Sequence, residues 1–218
     1  GATNAEPISL GMALRPTALV WHPSGQQVAF LADQNWRDET KFERPDIFTA
    51  SVDRSVKRLT DDGHVHGDLK FSPDGKYLSY SRNFGTDMIV SKKLNHGGPD
   101  DLLIQPVAGG EPINLTANWD LEPGPAIWAP DSRHIYFSAA KGGENHLFRV
   151  SVPDARVEQV TKGPRRIGSI TFDKAMTTMA YTVSVHDAPP DVYVSKIDGS
   201  GERRLSDAHR DFTAEVAL

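Results

Sequence analysis

Phe71-Ser72-Pro73-Asp74-Gly75-Lys76-Tyr77-Leu78-Ser79-Tyr80 is the stretch from which this chain is read. An aromatic residue ends one strand, a tight corner follows, and an alternating strand leaves it. Pro73 presets the backbone for the first corner position, Asp74 favours the turn locally, and Gly75 takes the positive φ that closes a hairpin. The same phrase opens at Trp21, Trp128 and Phe172, so successive copies lie 50, 57 and 44 residues apart. In each copy a second aromatic falls at the same place, giving Phe30, Tyr80, Phe137 and Tyr181. The corners read His22-Pro23-Ser24-Gly25, Ala129-Pro130-Asp131-Ser132 and, in the fourth copy, Asp173-Lys174-Ala175-Met176. That last corner lacks both Pro and Gly, and its hairpin is expected to be the least sharply specified.

Outward from the hairpin, each copy continues alike. A third strand begins at Asp46-Ile47-Phe48, Asp101-Leu102-Leu103, His146-Leu147-Phe148 and Asp191-Val192-Tyr193. An outer strand then ends in Leu59-Thr60, Leu115-Thr116, Val160-Thr161 or Leu205-Ser206. Alternation with β-branched and aromatic residues predicts strand throughout, and no long segment shows helical periodicity. A strand-only repeat of about 40 to 50 residues is the pattern of β-propeller blades, each a four-stranded sheet that buries its faces against neighbours. The expected fold is therefore all-β, with four legible blades over about 17–60, 67–116, 124–161 and 168–206 in one repeat domain spanning 1–218. Phe71 and Trp128 are expected to be buried between blades.

Composition bounds the partners. Lys and Arg total 24 against 29 Asp and Glu, a formal charge of −5, with the basic residues scattered, so nucleic acid is not an expected partner. The apolar runs are strand-sized, which predicts no membrane span, and the amino terminus shows no signal-peptide pattern. With no cysteine there is no disulfide or thiolate metal site, and no cofactor is expected. Composition fits either redox compartment; a periplasmic or secreted location is preferred to a cytoplasmic one.

The run Gln105-Pro106-Val107-Ala108-Gly109-Gly110-Glu111-Pro112-Ile113-Asn114-Leu115-Thr116, followed by Trp128-Ala129-Pro130-Asp131 and Ile135-Tyr136-Phe137, resembles the propeller of the prolyl oligopeptidase family of serine peptidases. The dipeptidyl and acylaminoacyl peptidase branch is the nearest. Pro189-Pro190-Asp191-Val192-Tyr193 and Arg204-Leu205-Ser206 resemble the blade that precedes that family's hydrolase domain. The resemblance runs from about Leu19 to Leu218. It implies a non-catalytic propeller, the carboxy-terminal half of a seven- or eight-bladed ring, that restricts substrate access and docks an α/β-hydrolase domain acting on peptides through a Ser-Asp-His triad outside these residues. The family's Gly-x-Ser-x-Gly elbow is not legible: Asp198-Gly199-Ser200-Gly201-Glu202 lacks that spacing and reads as a hairpin turn. A TolB-like propeller, a protein-binding scaffold, is the alternative. A metal-dependent carbohydrate lyase comes third.

If the opening strand is innermost, the blade-to-blade connections and second-to-third loops share one face, and binding residues tend to sit in such loops. His64-Val65-His66 puts two imidazoles on one side of an extended segment, with Asp61, Asp62 and Asp68 as the nearest carboxylates. A metal would need those acids as further ligands, and the plainer reading is a polar interblade loop. Arg82, Arg165 and Arg166 are candidates to grip a carboxylate on a peptide or on a docked domain, against a plainer reading as ion-paired surface residues. Asp38, Glu39 and Glu43 are acids suited to a substrate amino terminus. Trp36, Trp119 and Phe84 are read as loop aromatics, either contact surfaces or rings folded over a blade end. The stretch from Arg82 to Asp100 reads as a long insertion, either a functional lid or interface or a flexible loop. Four blades of a larger ring would leave two terminal faces uncovered, to be met by pairing of two chains, by closure into a small four-blade ring or by further blades; pairing is preferred, with Glu6 to Leu14 supplying a strand across the junction.

Overall fold

Each copy of the repeat builds one four-stranded antiparallel sheet in chain order, and the last two are continuous through a single parallel pair, Asn145 with Arg166. The computed structural model describes residues 14–210, and residues 6–13 of the strand expected across the junction lie outside that range. The first sheet holds β1 (Arg15–Trp21), β2 (Gln27–Asp33), β3 (Asp46–Ser51) and β4 (Val56–Arg58). The second holds β5 (His64–Phe71), β6 (Tyr77–Phe84), β7 (Asp101–Pro106) and β8 (Ile113–Asn114), with the short helix α1 (Thr86–Ser91) between β6 and β7. The third comprises β9 (Ile127–Trp128), β10 (His134–Lys141), β11 (Glu144–Ser151) and β12 (Val157–Gln159). The fourth comprises β13 (Arg166–Phe172), β14 (Thr178–Val185), β15 (Ala188–Lys196) and β16 (Arg203–Arg204). Two compact units result, 1–114 with the first two sheets and 115–218 with the last two.

The repeated aromatics set the ladder. Each opening aromatic pairs with the residue seven positions later, as Trp21 with Val28, Phe71 with Leu78, Trp128 with Ile135 and Phe172 with Met179. The second aromatic of each copy stands opposite the third strand: Phe30 faces Phe48, Phe137 faces Phe148 and Tyr181 faces Tyr193, while Tyr80 faces Leu103. The three aromatic pairs are stacked with ring centroids 5.7, 6.1 and 6.4 Å apart. Directly opposed rings of this kind are the unit by which a sheet is stabilised and its register held.

All four corners close with the same two backbone hydrogen bonds, including the fourth. There the expectation of a loosely specified hairpin is corrected. Met176 takes the left-handed conformation (φ 50°) that Gly25 and Gly75 adopt elsewhere. The Asp173 carboxylate compensates by accepting both the Thr177 and Thr178 backbone N–H groups at 2.7 Å.

A second repeated feature has no glycine to announce it. Three residues before the opening aromatic, Ala18, Asp68 and Ser169 have φ of 50, 47 and 48°, and at each the ladder slips by a bulge. A bulge adds one residue to one strand and sharpens its local twist. The third copy has Pro125 at this position, whose ring holds φ near −65°, and there the strand is only Ile127–Trp128.

The two ends of the repeat also meet. The hydrophobic-Thr or -Ser pair follows the outer strand, and its hydroxyl accepts a backbone N–H of the third strand: Thr60 from Ile47, Thr161 from Leu147 and Ser206 from Val192, each at 2.9 Å. The preceding Asp or His joins in. Asp46 accepts from Arg58 and Thr60, and Asp191 from Arg204 and Ser206. His146 Nδ1 lies 3.3 Å from the Thr161 hydroxyl.

Within the first unit, Ala29, Leu31 and Ile47 pack with Leu69, Leu78, Tyr80 and Leu103 of the next sheet. Within the second, Tyr136 and Leu147 pack with Ile167, Met179, Tyr181 and Val183. Trp128 is buried as expected, at 9% exposed, but Phe71 is only half-buried and Trp21 is 66% exposed. Phe71 stays open because a cavity lies beside it.

Candidate functional site

Several residues expected in loops stand at strand ends. His64 and His66 belong to β5, Arg82 and Phe84 to β6, and Arg166 opens β13. The loops are shorter than the sequence suggested because ladder pairing runs on into tight turns. Gly142 and Gly143, both at positive φ, join Lys141 to Glu144 directly.

In the first unit, β5 and β6 bring His64, His66 and Arg82 together around Asp62. His66 stands opposite Arg82, and His64 opposite Phe84 with their rings stacked 5.5 Å apart. One Asp62 oxygen lies 3.3 Å from His64 Nδ1 and 3.3 Å from His66 Nε2, and the other lies 3.8 Å from Arg82. Neither imidazole approach has the angle of a hydrogen bond. His66 Nδ1 donates to the Pro45 carbonyl at 3.1 Å, and its ring is fully buried, so no ligand reaches it. Arg82 also reaches Asp101 at 3.4 Å. The guanidinium is thus shared between two acids, the plainer of its two readings.

No group of three or more His, Asp or Glu side chains disposed to hold a metal occurs among the described residues. The arrangement is an ion cluster at the foot of a small groove of about 180 Å³ that includes His64, Phe84, Pro99 and Asp101 in its wall. The insertion forming the other wall is ordered: Asn83 donates to Asp100 at 2.6 Å and to the Gly98 carbonyl at 3.5 Å, and α1 fills the segment between.

Burial would raise the Asp62 carboxyl, but it is outweighed by the His66 side chain, the His64 backbone N–H and the charge of both imidazoles. The group is held well below the usual carboxylate range. In the second unit, hydrogen bonding from Arg165 lowers the Glu202 carboxyl in the same way, against its partial burial. A carboxyl depressed on folding lends stability that is present above its unfolded pKa, about 4, and lost as pH falls toward the folded value. Unfolding midpoints in urea are therefore expected to drop between pH 5 and pH 3. The drop should be shallower in Asp62→Asn; equal slopes for the two proteins would mean that Asp62 carries none of the acid sensitivity.

In the second unit the two neighbouring arginines have different fates. Arg165 pairs with Glu202 at 2.7 Å, and Glu202 also accepts from the Tyr181 hydroxyl, which burial and that carboxylate push up to about 12. Arg166 is exposed, reaches only the Gly143 carbonyl at 3.5 Å, and makes no ion pair among the described residues. It borders an open groove of about 430 Å³ formed by the Gly142–Glu144 turn, Pro164 to Arg166, and Ser184 to His186. An unpaired guanidinium in such a groove suits a carboxylate ligand.

Trp119 does not offer a contact face. Its indole lies edge-on to Phe137 and Phe148, at 5.2 and 5.1 Å, folded onto the sheet. Trp36 lies against Arg37 at 4.5 Å, and Asp38 is engaged by Thr40 of its own turn. Ser200 is a turn residue as read from sequence: its N–H donates to Asp198 at 2.9 Å and its carbonyl accepts from Lys196 at 2.9 Å.

No family model matches the chain. Among curated proteins, dipeptidyl-peptidase 5 of Porphyromonas gingivalis is 24% identical over 146 residues, covering 66% of this chain and 20% of that protein. Puromycin hydrolase superposes on 92% of this chain and 32% of its own with a TM-score of 0.67 at 16% identity. The β-propeller domain of the trilobed protease of Pyrococcus furiosus covers 87% of this chain and 51% of its own, with a TM-score of 0.60 at 15% identity. TolB of Acinetobacter baumannii covers 88% and 44%, with a TM-score of 0.56 at 17% identity. The chain thus spans a fifth of the curated relative and about a third to a half of these solved chains. It is a β-propeller segment, and its resemblance to the propellers of prolyl oligopeptidase-family peptidases, visible first in its sequence, is borne out by these relatives.

Proposed function

We propose that this chain is the non-catalytic propeller segment of a prolyl oligopeptidase-like serine peptidase, restricting substrate access and docking an α/β-hydrolase domain. The observation that carries this reading is the sequence match to a dipeptidyl peptidase over two thirds of the chain. In this reading Arg166 is the group that meets a carboxylate, on a peptide or on the hydrolase domain, since its guanidinium is unpaired and borders the larger groove. Arg82, His64, His66 and Arg165 serve instead by holding the loop ends in place through their acid partners. Trp119 supports its own sheet in the second unit by packing on Phe137 and Phe148.

A TolB-like scaffold is the second reading, favoured by a fold match covering 88% of the chain. The exposed Leu19 and Trp21 of β1 support a covering neighbour in either case, and a second copy of the chain is the one we propose. The reading frame that encodes the chain separates the two functions: a hydrolase domain with Gly-x-Ser-x-Gly beyond Leu218 supports the peptidase, and a stop codon there overturns it. The chain by itself is expected to take no label from an active-site fluorophosphonate, because Ser200 is tied into its turn. Labelling that disappears on changing one serine to alanine would contradict this.

A further inference from the structure

The cavity beside Phe71 lies at the end of the first two sheets where their hairpins turn, away from the loop groove bordered by His64 and Arg82. Here the His22 ring meets the edge of Phe71 at 4.9 Å, and its Nε2 bonds the Gly75 carbonyl at 2.9 Å, fixing the two hairpins against each other. Below that contact the sheets part around about 70 Å³. At roughly 10 to 15 Å³ for each water-sized sphere, that is room for about five such groups, the size of a branched aliphatic side chain.

The walls are apolar where Leu59, Phe71 and Leu78 line them, and polar groups converge on the same space. Thr49 is 6% exposed, yet its hydroxyl makes no hydrogen bond among the described residues. Lys57 is exposed at the rim and has no ion-pair partner among them, and the Gln27 amide is likewise uncommitted. The Thr49 hydroxyl is not among the sealed polar atoms that lack a partner, so it stays accessible and free to donate to a ligand. Apolar walls with a few convergent polar groups are the composition of a ligand pocket.

We propose that this interblade pocket is a binding site for a peptide segment carrying a leucine-like side chain next to a carboxylate. The aliphatic group fills the space against Phe71, Leu59 and Leu78, the carboxylate meets Lys57, and a backbone or carboxylate oxygen accepts from the Thr49 hydroxyl. The carboxylate follows from charge: the rim offers an unpaired cation, so an acidic partner gains an ion pair that a neutral one does not.

The test titrates the full chain, labelled with ¹⁵N, with N-acetyl-leucine and separately with N-acetyl-leucinamide, following amide shifts. Shifts at Thr49, Leu59, Phe71 and Leu78 are expected, with the carboxylate form binding about fivefold tighter, the scale of a partly exposed charge-assisted bond. Lys57→Gln should erase that preference while leaving the spectrum of the folded protein otherwise intact. No shift at these residues by 20 mM ligand, shifts confined to other parts of the chain, or equal affinity for the two ligands in the unsubstituted protein would each overturn the proposal.

Discussion

Phe137→Ala is expected to lower the stability of the second unit by about 3 to 5 kcal/mol, the range for truncating a fully buried aromatic. Phe137 is 0% exposed and stands opposite Phe148 in a ladder paired without interruption from His134 to Lys141. Its ring is stacked on Phe148 at 6.1 Å, and Trp119 closes over both. Neither paired strand can move inward, so the space left by the ring stays empty and its cost is paid in full. Phe71→Ala, at the equivalent of an opening aromatic rather than the second one, should cost about half as much, because part of that ring already faces a cavity. Urea melts followed by far-ultraviolet circular dichroism measure both. Equal losses would show that the cavity beside Phe71 is closed in solution.

Asp46→Ala comes next, at about 2 to 3 kcal/mol. Asp46 is 1% exposed, receives Arg58 at 2.5 Å and the Thr60 hydroxyl at 3.1 Å, and lies 3.9 Å from His66. Breaking a buried pair by removing one partner is costly because the other charge is left without compensation. The loss here falls below the fully buried case, since the Arg58 side chain is 24% exposed and keeps Asp61 at 2.6 Å. The double variant Asp46→Ala/Arg58→Met should recover part of the loss. If the two single losses simply add, the carboxylate acts alone and the pair is not what holds β4 to β3.

The sheets were legible in the sequence because their signals are local. Proline, aspartate and glycine act within a four-residue corner, and alternation acts between residues two apart, so strand positions and hairpins follow from short windows. The relation of Phe30, Phe137 and Tyr181 to their partners on the third strand was implicit in the spacing for the same reason. The bulges at Ala18, Asp68 and Ser169 were not legible, since no glycine marks them and only Asp68 is of a type enriched at positive φ. Helix α1 was missed because six residues are too few to show a helical period.

At the site, the sequence offered several candidate residues without a way to rank them. Arg82, Arg165 and Arg166 look alike in the chain, each a guanidinium near a strand end. Tertiary structure separates them by bringing acids from far along the sequence: Asp62 and Asp101 to Arg82, and Glu202, 37 residues away, to Arg165. Arg166 receives none. Likewise the repeat showed that Thr60 and Asp46 recur, but only the folded sheet shows that one outer strand hands its hydroxyl and its arginine back to the third. Local chemistry therefore determined the strands, their turns and their count, while the pairing of charges and the cavity beside Phe71 depended on contacts between residues tens of positions apart, which no short window of sequence contains.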